Sequence, residues 1–216
     1  MKKFDGVIFD MDGLMVDTEK IMQREVKKIL QEMDYPPHED VILSLIGLTD
    51  RRTKAVLKKA FGEQFDYDLF LKLLLERKKI VFHEEEIGIK KGLWEILEYL
   101  KKENIKRIVA TGSVRESMNL ILNKTGISSY FNLSVCGDEV QRGKPFPDIF
   151  LKAAEKINVP IENCLVLEDS QNGIIAAKKA GMSVIFIKDL VTPEKEYMEQ
   201  IYAECNDLSE VIKYLR

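Results

Sequence analysis

Short runs of apolar residues recur along this chain, once near its start and several times in its second half. The runs do not alternate with polar residues, which is typical of central strands of a parallel sheet, because such strands are covered on both faces. The predicted strands are 7–9, 108–110, 165–167 and 184–187, with 133–136 as a weaker fifth.

Helical periodicity fills the spaces between these runs. The predicted helices are 93–102, 114–124, 148–157 and 170–180, and Gly126 and Gly181 follow two of them as end signals. Strand and helix therefore alternate, which predicts an α/β fold with a doubly wound parallel sheet.

Residues 16–86 depart from this alternation. They contain no convincing strand pattern, and they show helical periodicity at 21–33, 53–61 and 67–82. This insert, about a third of the chain, is longer than an ordinary connection. We therefore expect a core domain formed by residues 1–15 and 87–216 and an inserted all-helical domain formed by residues 16–86.

The composition restricts the classes of function. Hydrophobic residues make up 45% of the chain, and 33 basic against 36 acidic residues give a net charge of -3. This balance indicates no surface for nucleic acid, so a small molecule is the expected partner. The odd number and wide spacing of Cys136, Cys164 and Cys205 favour a reduced compartment. The apolar stretch near the start is too short for a signal peptide or a spanning helix, so we expect a cytoplasmic monomer with no membrane partner.

Two carboxylates, Asp10 and Asp12, come at the end of the first predicted strand, and Gly13 allows the chain to bend there. Taken alone, they could be turn-forming or helix-capping residues. A calcium loop of the EF-hand type fails on spacing, because Met15 and Ile21 occupy the positions of its glycine and final glutamate.

Hydrogen-bond donors come after a second predicted strand and within a turn that contains prolines. Thr111, Gly112 and Ser113 offer hydroxyl and backbone N–H groups, which phosphate oxygens need, although such residues are also common in turns. Lys144 lies in a turn that the following prolines make rigid. On its own, it could equally be a solvated surface lysine.

A second pair of carboxylates, Glu168 and Asp169, ends a third predicted strand. In an open parallel sheet, the carboxyl ends of the strands share the edge where ligands bind, so this pair should meet Asp10, Asp12 and Thr111. Crowded carboxylates repel each other unless a cation neutralises them, and oxygen ligands without histidine or thiolate favour Mg²⁺. The predicted cation ligands are Asp10, Asp12, Glu168 and Asp169, and Mn²⁺ or Co²⁺ could substitute.

These motifs together resemble the haloacid dehalogenase superfamily, in its phosphatase and beta-phosphoglucomutase-like branch with a helical cap. The four motifs occur in order as Asp10-Met11-Asp12-Gly13, Thr111, Lys144 and Glu168-Asp169, and the resemblance covers nearly the whole chain. It implies a Rossmann-like core with a cap at residues 16–86. It also implies a Mg²⁺-dependent phosphatase of small phosphorylated metabolites, with sugar phosphates as the expected substrates.

The resemblance also implies a role for each motif residue. Asp10 would attack phosphorus to form an aspartyl-phosphate, and Asp12 would act as general acid and then as general base. The catalytic residues are then Asp10, Asp12, Thr111 and Lys144, and the phosphate-binding residues are Thr111, Gly112, Ser113 and Lys144. In the cap, the implied substrate-binding residues are Gly47, Arg51, Arg52 and Lys78.

Two other functions stay open at this point. A beta-phosphoglucomutase-type hexose phosphate mutase is the first alternative, but Met22 stands where such mutases have a histidine, and neither His38 nor His83 fits that position. A phospho-receiver signalling module is a more remote alternative. Receivers carry their phosphorylated aspartate on a later strand and lack a helical insert, which favours a phosphatase here.

Overall fold

The computed structural model describes residues 3–48 and 50–215, which divide into two compact units. One unit comprises the residues up to Asp17 together with those from Ile87 onward, and the other comprises Thr18–Glu86. We call them the core unit and the cap unit. Within the described residues, no helix is both long and apolar enough to cross a bilayer.

The core unit is built on a sheet of six parallel strands. They are β1 Gly6–Phe9, β2 Lys106–Ala110, β3 Ser134–Val135, β4 Cys164–Glu168, β5 Ser183–Ile187 and β6 Ala203–Cys205. Their order is β3-β2-β1-β4-β5-β6, so the direction of winding reverses between β1 and β4. Ligands of doubly wound sheets bind at the carboxyl ends of the strands beside such a reversal. The predicted α/β fold class is confirmed.

Helices surround the sheet and make up the cap unit. The cap helices are α1 Thr18–Glu32, α2 Glu39–Ser44, α3 Asp50–Phe61 and α4 Tyr67–Glu84. The core helices are α5 Leu93–Lys102, α6 Arg115–Lys124, α7 Asp148–Ile157, α8 Gln171–Lys179 and α9 Lys195–Met198. Every strand and helix predicted from the pattern is present, with ends shifted by a few residues.

The pattern missed α2, α9 and β6. The two helices are too short, at 6 and 4 residues, to show a helical period. Strand β6 has 3 residues at the edge of the sheet, with Glu204 exposed between Ala203 and Cys205, so it carries no continuous apolar run. Edge strands of this length have no buried apolar run, so the hydrophobic pattern does not indicate them.

Burial on both faces explains the apolar runs of the central strands. All residues of β1 and of β4 are buried. On one face, Ile8 and Val166 join a cluster with Phe150 of α7 and Ile174 of α8. Burying each such side chain stabilises the fold by about 1.5–3 kcal/mol.

Residues 15–17 and 88–90, the two segments of the core unit next to the cap unit, are joined to each other by backbone hydrogen bonds. Val16 forms a bridge with Ile89, the Asp17 N–H donates to the Gly88 carbonyl at 2.8 Å, and the Lys90 N–H donates to the Met15 carbonyl at 2.9 Å. The outgoing and returning segments therefore run side by side where they meet the sheet.

The cap unit has its own apolar core. Leu30 of α1, Leu57 and Phe61 of α3, and Phe70 of α4 belong to one cluster of buried side chains. No strand occurs among the residues that the structure describes between Thr18 and Glu86. This agrees with the all-helical pattern of the insert.

A buried carboxylate ties α1 to α4 in the cap unit. The Glu25 side chain is 1% exposed and accepts hydrogen bonds from Arg24, Lys28 and Arg77 at 3.1, 2.8 and 3.2 Å. Burial opposes the charged form of Glu25, but the three cations outweigh it and lower the pKa of its carboxyl group. Because the folded pKa is lowered, this stabilisation is present above the unfolded pKa and is lost as the pH falls through the folded value.

We expect Glu25→Ala to lower the free energy of unfolding of the cap by about 1–3 kcal/mol, because three cations lose their shared partner. Glu39→Ala is the matched control, because Glu39 is 79% exposed and pairs with Lys27 at 3.2 Å. Its expected effect is below about 0.5 kcal/mol. Urea unfolding of both variants measures the difference, and equal effects would contradict a structural role for Glu25.

Candidate active site

Asp10 lies directly after β1, at the carboxyl edge of the sheet. The register pairs Phe9 with Val109 on β2 and with Leu167 on β4, and the Asp10 N–H donates to the Leu167 carbonyl at 3.1 Å. The side chain of Asp10 is 10% exposed. The central strand therefore holds this carboxylate between the ends of its two neighbours.

Lys144 reaches this edge from the turn before α7. Its ammonium group donates to Asp10 Oδ1 and to Glu168 Oε1, and lies 5.0 Å from the centre of the Phe150 ring. Burial acts to lower the pKa of Lys144, but the charges of Asp10 and Glu168 outweigh burial and raise it, so Lys144 stays protonated. Burial acts to raise the pKa of Asp10, the charge of Lys144 counteracts this rise, and the charge of Glu168 adds to it.

Glu168 is fully buried and holds the loop after β4 in place. Its Oε2 accepts hydrogen bonds from the Asp169 N–H at 3.1 Å, and from the Ser170 N–H and hydroxyl at 3.1 and 3.0 Å. Ser170 caps α8 by accepting from the Gly173 N–H at 3.0 Å. A Cβ on residue 173 would overlap the Glu168 carboxylate, so this close approach requires glycine.

Three carboxylates form a cluster suited to a cation. Ligand oxygens of Asp10, Glu168 and Asp169 all lie within 4.8 Å of one another. Lys144 supplies only one positive charge to these three groups. The excess negative charge and the oxygen-only donors fit a hard divalent cation such as Mg²⁺.

Asp12 is held by two hydroxyl groups. Its Oδ2 accepts hydrogen bonds from Ser113 Oγ at 2.8 Å and from Thr111 Oγ1 at 3.2 Å. The Ser113 N–H in turn donates to Thr111 Oγ1 at 3.0 Å. The loop after β2 therefore fixes the direction of the Asp12 carboxylate. Ser113, which the sequence predicted to bind phosphate, thus donates to Asp12 in the structure.

The Gly112 backbone lies open beside this group. Gly112 is exposed, and a Cβ built on it would meet no atom within 4 Å. A ligand can therefore approach the Gly112 main chain next to Thr111.

The structure thus brings together the core residues predicted from the sequence, and it adds two that were missed. Asp189 follows β5 at the same edge of the sheet, and Lys90 Nζ donates to its Oδ1 at 2.6 Å. The rule that strand ends converge could have indicated Asp189. Lys90 follows no predicted strand, so the pattern gave no signal for it.

The predicted cap residues lie on α3, on α4 and in the segment before α3. Gly47 is exposed with φ of 66°, and Arg51 and Arg52 are exposed in the first turn of α3. Lys78 lies on α4, with its ammonium group 5.4 Å from the centre of the Phe82 ring. Their part in substrate binding stays a prediction.

Comparison with known proteins gives a family and named relatives. The family described as haloacid dehalogenase-like hydrolases matches residues 7–187. A phosphorylated carbohydrates phosphatase of Thermotoga maritima is 34% identical over 84% of this chain and 84% of that protein. A beta-phosphoglucomutase of Bacillus subtilis is 31% identical over 83% of this chain and 81% of that protein.

Solved structures share the fold of the whole chain. The crystal structure of a candidate beta-phosphoglucomutase from Thermotoga maritima has a TM-score of 0.77 and 31% identity, and covers 98% of both chains. A hydrolase from Pseudomonas syringae has a TM-score of 0.80 and 25% identity, over 98% of this chain and 97% of that one. Both the core and the cap elements are therefore present in these relatives.

Proposed function

Because the chain belongs to the haloacid dehalogenase-like hydrolase family, we propose that it is a Mg²⁺-dependent phosphatase of phosphorylated carbohydrates. The observation that carries this proposal is the meeting of the buried Asp10 with Lys144, Glu168 and Asp169 at one edge of the sheet. The phosphatase of phosphorylated carbohydrates among its relatives supports the substrate class.

Asp10 is the nucleophile of this proposal. One of its carboxylate oxygens attacks phosphorus and forms an aspartyl-phosphate, while the bond from phosphorus to the sugar oxygen breaks. Water then attacks the same phosphorus, which releases phosphate and restores the carboxylate. Two easier displacements thus replace one difficult displacement.

The divalent cation would be held by Asp10, Asp169 and the main-chain carbonyl of Asp12, with Glu168 close by. When bound, it supplies positive charge that lets an anionic carboxylate approach an anionic ester. Lys144 adds a fixed charge beside Asp10, and Glu168 keeps Lys144 in place.

Asp12 moves the protons. It donates a proton to the departing sugar oxygen and later takes one from the attacking water, so the side chain is used twice in each cycle. Before the ester binds, the Thr111 and Ser113 hydroxyls donate to its Oδ2, which orients the carboxylate.

The phosphate is held by groups around the same edge. Lys144 and the Gly112 N–H bind the oxygens that carry the charge in the transition state, and the Thr111 hydroxyl joins them when it turns from Asp12 to the ligand. Ser113 can serve this role as well if its hydroxyl turns from Asp12 to the ligand. In the cap, Gly47, Arg51, Arg52 and Lys78 would contact the sugar.

We expect chelation of divalent cations to abolish hydrolysis, because Asp10 would then face the ester without sufficient compensating charge. Phosphate release is measured before and after treatment with a chelator, and again after adding Mg²⁺, Mn²⁺ or Co²⁺. Hydrolysis that persists after stringent chelation would contradict the cation requirement.

A phosphate-release screen at fixed Mg²⁺ tests the substrate class. We expect sugar phosphates to be hydrolysed with higher kcat/KM than nucleotides or phosphonates. A nucleotide as the best substrate would overturn the assignment to carbohydrates while leaving the phosphatase chemistry in place.

A mutase is the second candidate, because a beta-phosphoglucomutase is among the relatives. The family resemblance places Met22 of α1 at the position of the mutase histidine, and a thioether can neither donate nor accept a proton in such a step. We therefore expect a hexose 1-phosphate, incubated with its bisphosphate, to yield free phosphate. Formation of the 6-phosphate as the main product would reverse the order of the two candidates.

The order of elements along the chain argues against a phospho-receiver module. Asp10 follows β1, and the helical cap unit follows it, whereas receivers place their aspartate on a later strand and have no such insert. A stable aspartyl-phosphate that is not hydrolysed by the purified protein would favour the receiver.

A further inference from the structure

Asp189 lies at the catalytic edge, outside the cluster of three carboxylates. It follows the last residue of β5 by two positions. A Cβ on Gly13, which has φ of 82°, would overlap the Asp169 carboxylate and lie 3.3 Å from Asp189 Oδ2. Asp169 and Asp189 therefore approach the same point of the loop after β1.

Lys90 holds the other oxygen of Asp189. Its ammonium group donates to Asp189 Oδ1 at 2.6 Å and lies 3.6 Å from Asp17 Oδ1. The side chains of Lys90 and Asp189 are only 19% and 13% exposed, so water screens their charges weakly. The backbone of Lys90 is fixed by its hydrogen bond to Met15, which places its charge firmly.

The two charges of this pair act in opposite directions on a cation at the edge. Asp189 adds negative charge beside Asp169, which attracts a cation, and Lys90 adds positive charge, which repels it. Both charges are partly buried, so their Coulomb interaction with a divalent ion at the neighbouring cluster is large enough to change the affinity for that ion. The pair also keeps Asp189 turned so that its Oδ2 faces Gly13.

We propose that Lys90 and Asp189 are positioning residues. They set the affinity of the cation site through their charges near Asp169, and they are not ligands of the cation. Asp189 strengthens cation binding, and Lys90 limits it and orients Asp189. The inference rests on the proposed function, since it assumes a divalent cation at the cluster of Asp10, Glu168 and Asp169.

The test is calorimetric titration of Mg²⁺ into the full chain without substrate. We expect Asp189→Asn to weaken binding about three- to tenfold and Lys90→Met to strengthen it by a similar factor. The double variant should return to within about twofold of the wild type, since it restores the net charge. Lys90→Arg keeps the charge and should bind as the wild type does.

Opposite shifts identify an electrostatic role, because a merely structural pair would move both variants in one direction. The matched control is the pair of Lys91 and Asp207, joined at 2.7 Å, in which Asp207 caps the 3₁₀ helix Leu208–Tyr214. Lys91→Met and Asp207→Asn carry the same charge changes and should leave Mg²⁺ affinity unchanged.

Several results would overturn the inference: shifts in the same direction, an unchanged affinity for Asp189→Asn, or equal shifts in the control pair. If Lys90→Met fails to fold by circular dichroism, Asp189→Asn and Lys90→Arg still decide. Phosphate release by the wild type is measured separately. Failure of the proposed function is therefore distinguishable from failure of this inference, which concerns Mg²⁺ binding alone.

Discussion

Asp10→Asn should reduce phosphate release by ~10³-fold or more while the protein stays folded. The amide is nearly isosteric with the carboxylate, but its oxygen carries no charge and cannot form the aspartyl-phosphate. The change also removes one of three crowded carboxylates, so the fold loses little stability. Steady-state phosphate release and thermal unfolding measure the two effects.

Asp5→Asn is the matched control for this variant. Asp5 lies just before β1, at the opposite edge of the sheet, where its carboxylate accepts a hydrogen bond from Asn163 Nδ2 at 2.8 Å. An asparagine can still accept this bond, so turnover should be unchanged. If Asp10→Asn kept more than about a hundredth of the wild-type turnover, Asp10 could not be the nucleophile.

Asp12→Asn should lower turnover of sugar phosphates about 10²- to 10⁴-fold, because the amide has no acidic proton to give to the leaving group. The side chain can still accept hydrogen bonds from Thr111 and Ser113, so its position should be kept. The loss concerns proton transfer and therefore depends on the ester. An alkoxide needs a proton on departure, whereas the nitrophenolate of p-nitrophenyl phosphate does not.

The two esters are compared within the same variant, so each serves as control for the other. With p-nitrophenyl phosphate, stopped-flow absorbance should show a burst of nitrophenolate. Mass spectrometry should then detect a phosphorylated enzyme that accumulates, because its hydrolysis still needs Asp12 as a base. Equal losses of phosphorylation rate for both esters would assign Asp12 a role other than general acid.

The sequence predicted the fold and the set of residues that meet at the site, but not the hydrogen bonds between them. Buried apolar runs such as Val7 to Phe9 and Leu165 to Leu167 predicted the parallel sheet, and the family resemblance and the fold class are confirmed. Convergence of strand ends then predicted which side chains meet. That rule follows from topology and needs no knowledge of side-chain contacts.

Individual hydrogen bonds were beyond the reach of the sequence. Ser113 was expected to face phosphate, yet its hydroxyl donates to Asp12, because the turn of the loop decides where it points. Glu168 was expected as a cation ligand, and it also accepts from Lys144 and from the loop that begins α8. Such choices depend on distances of a few tenths of an ångström, which residue types do not encode.

The central position of β1 has a consequence for how the chain acquires its structure during synthesis. The ribosome makes β1 before the cap unit, but it makes the neighbouring strands β2 and β4 only after the cap unit. The cap can fold from local contacts around Leu57 and Phe70. The apolar strand β1 pairs only later, when the distant strands β2 and β4 have been made. Core assembly is therefore expected to be the slow stage, and β1 the segment most in need of protection from aggregation until β4 has emerged.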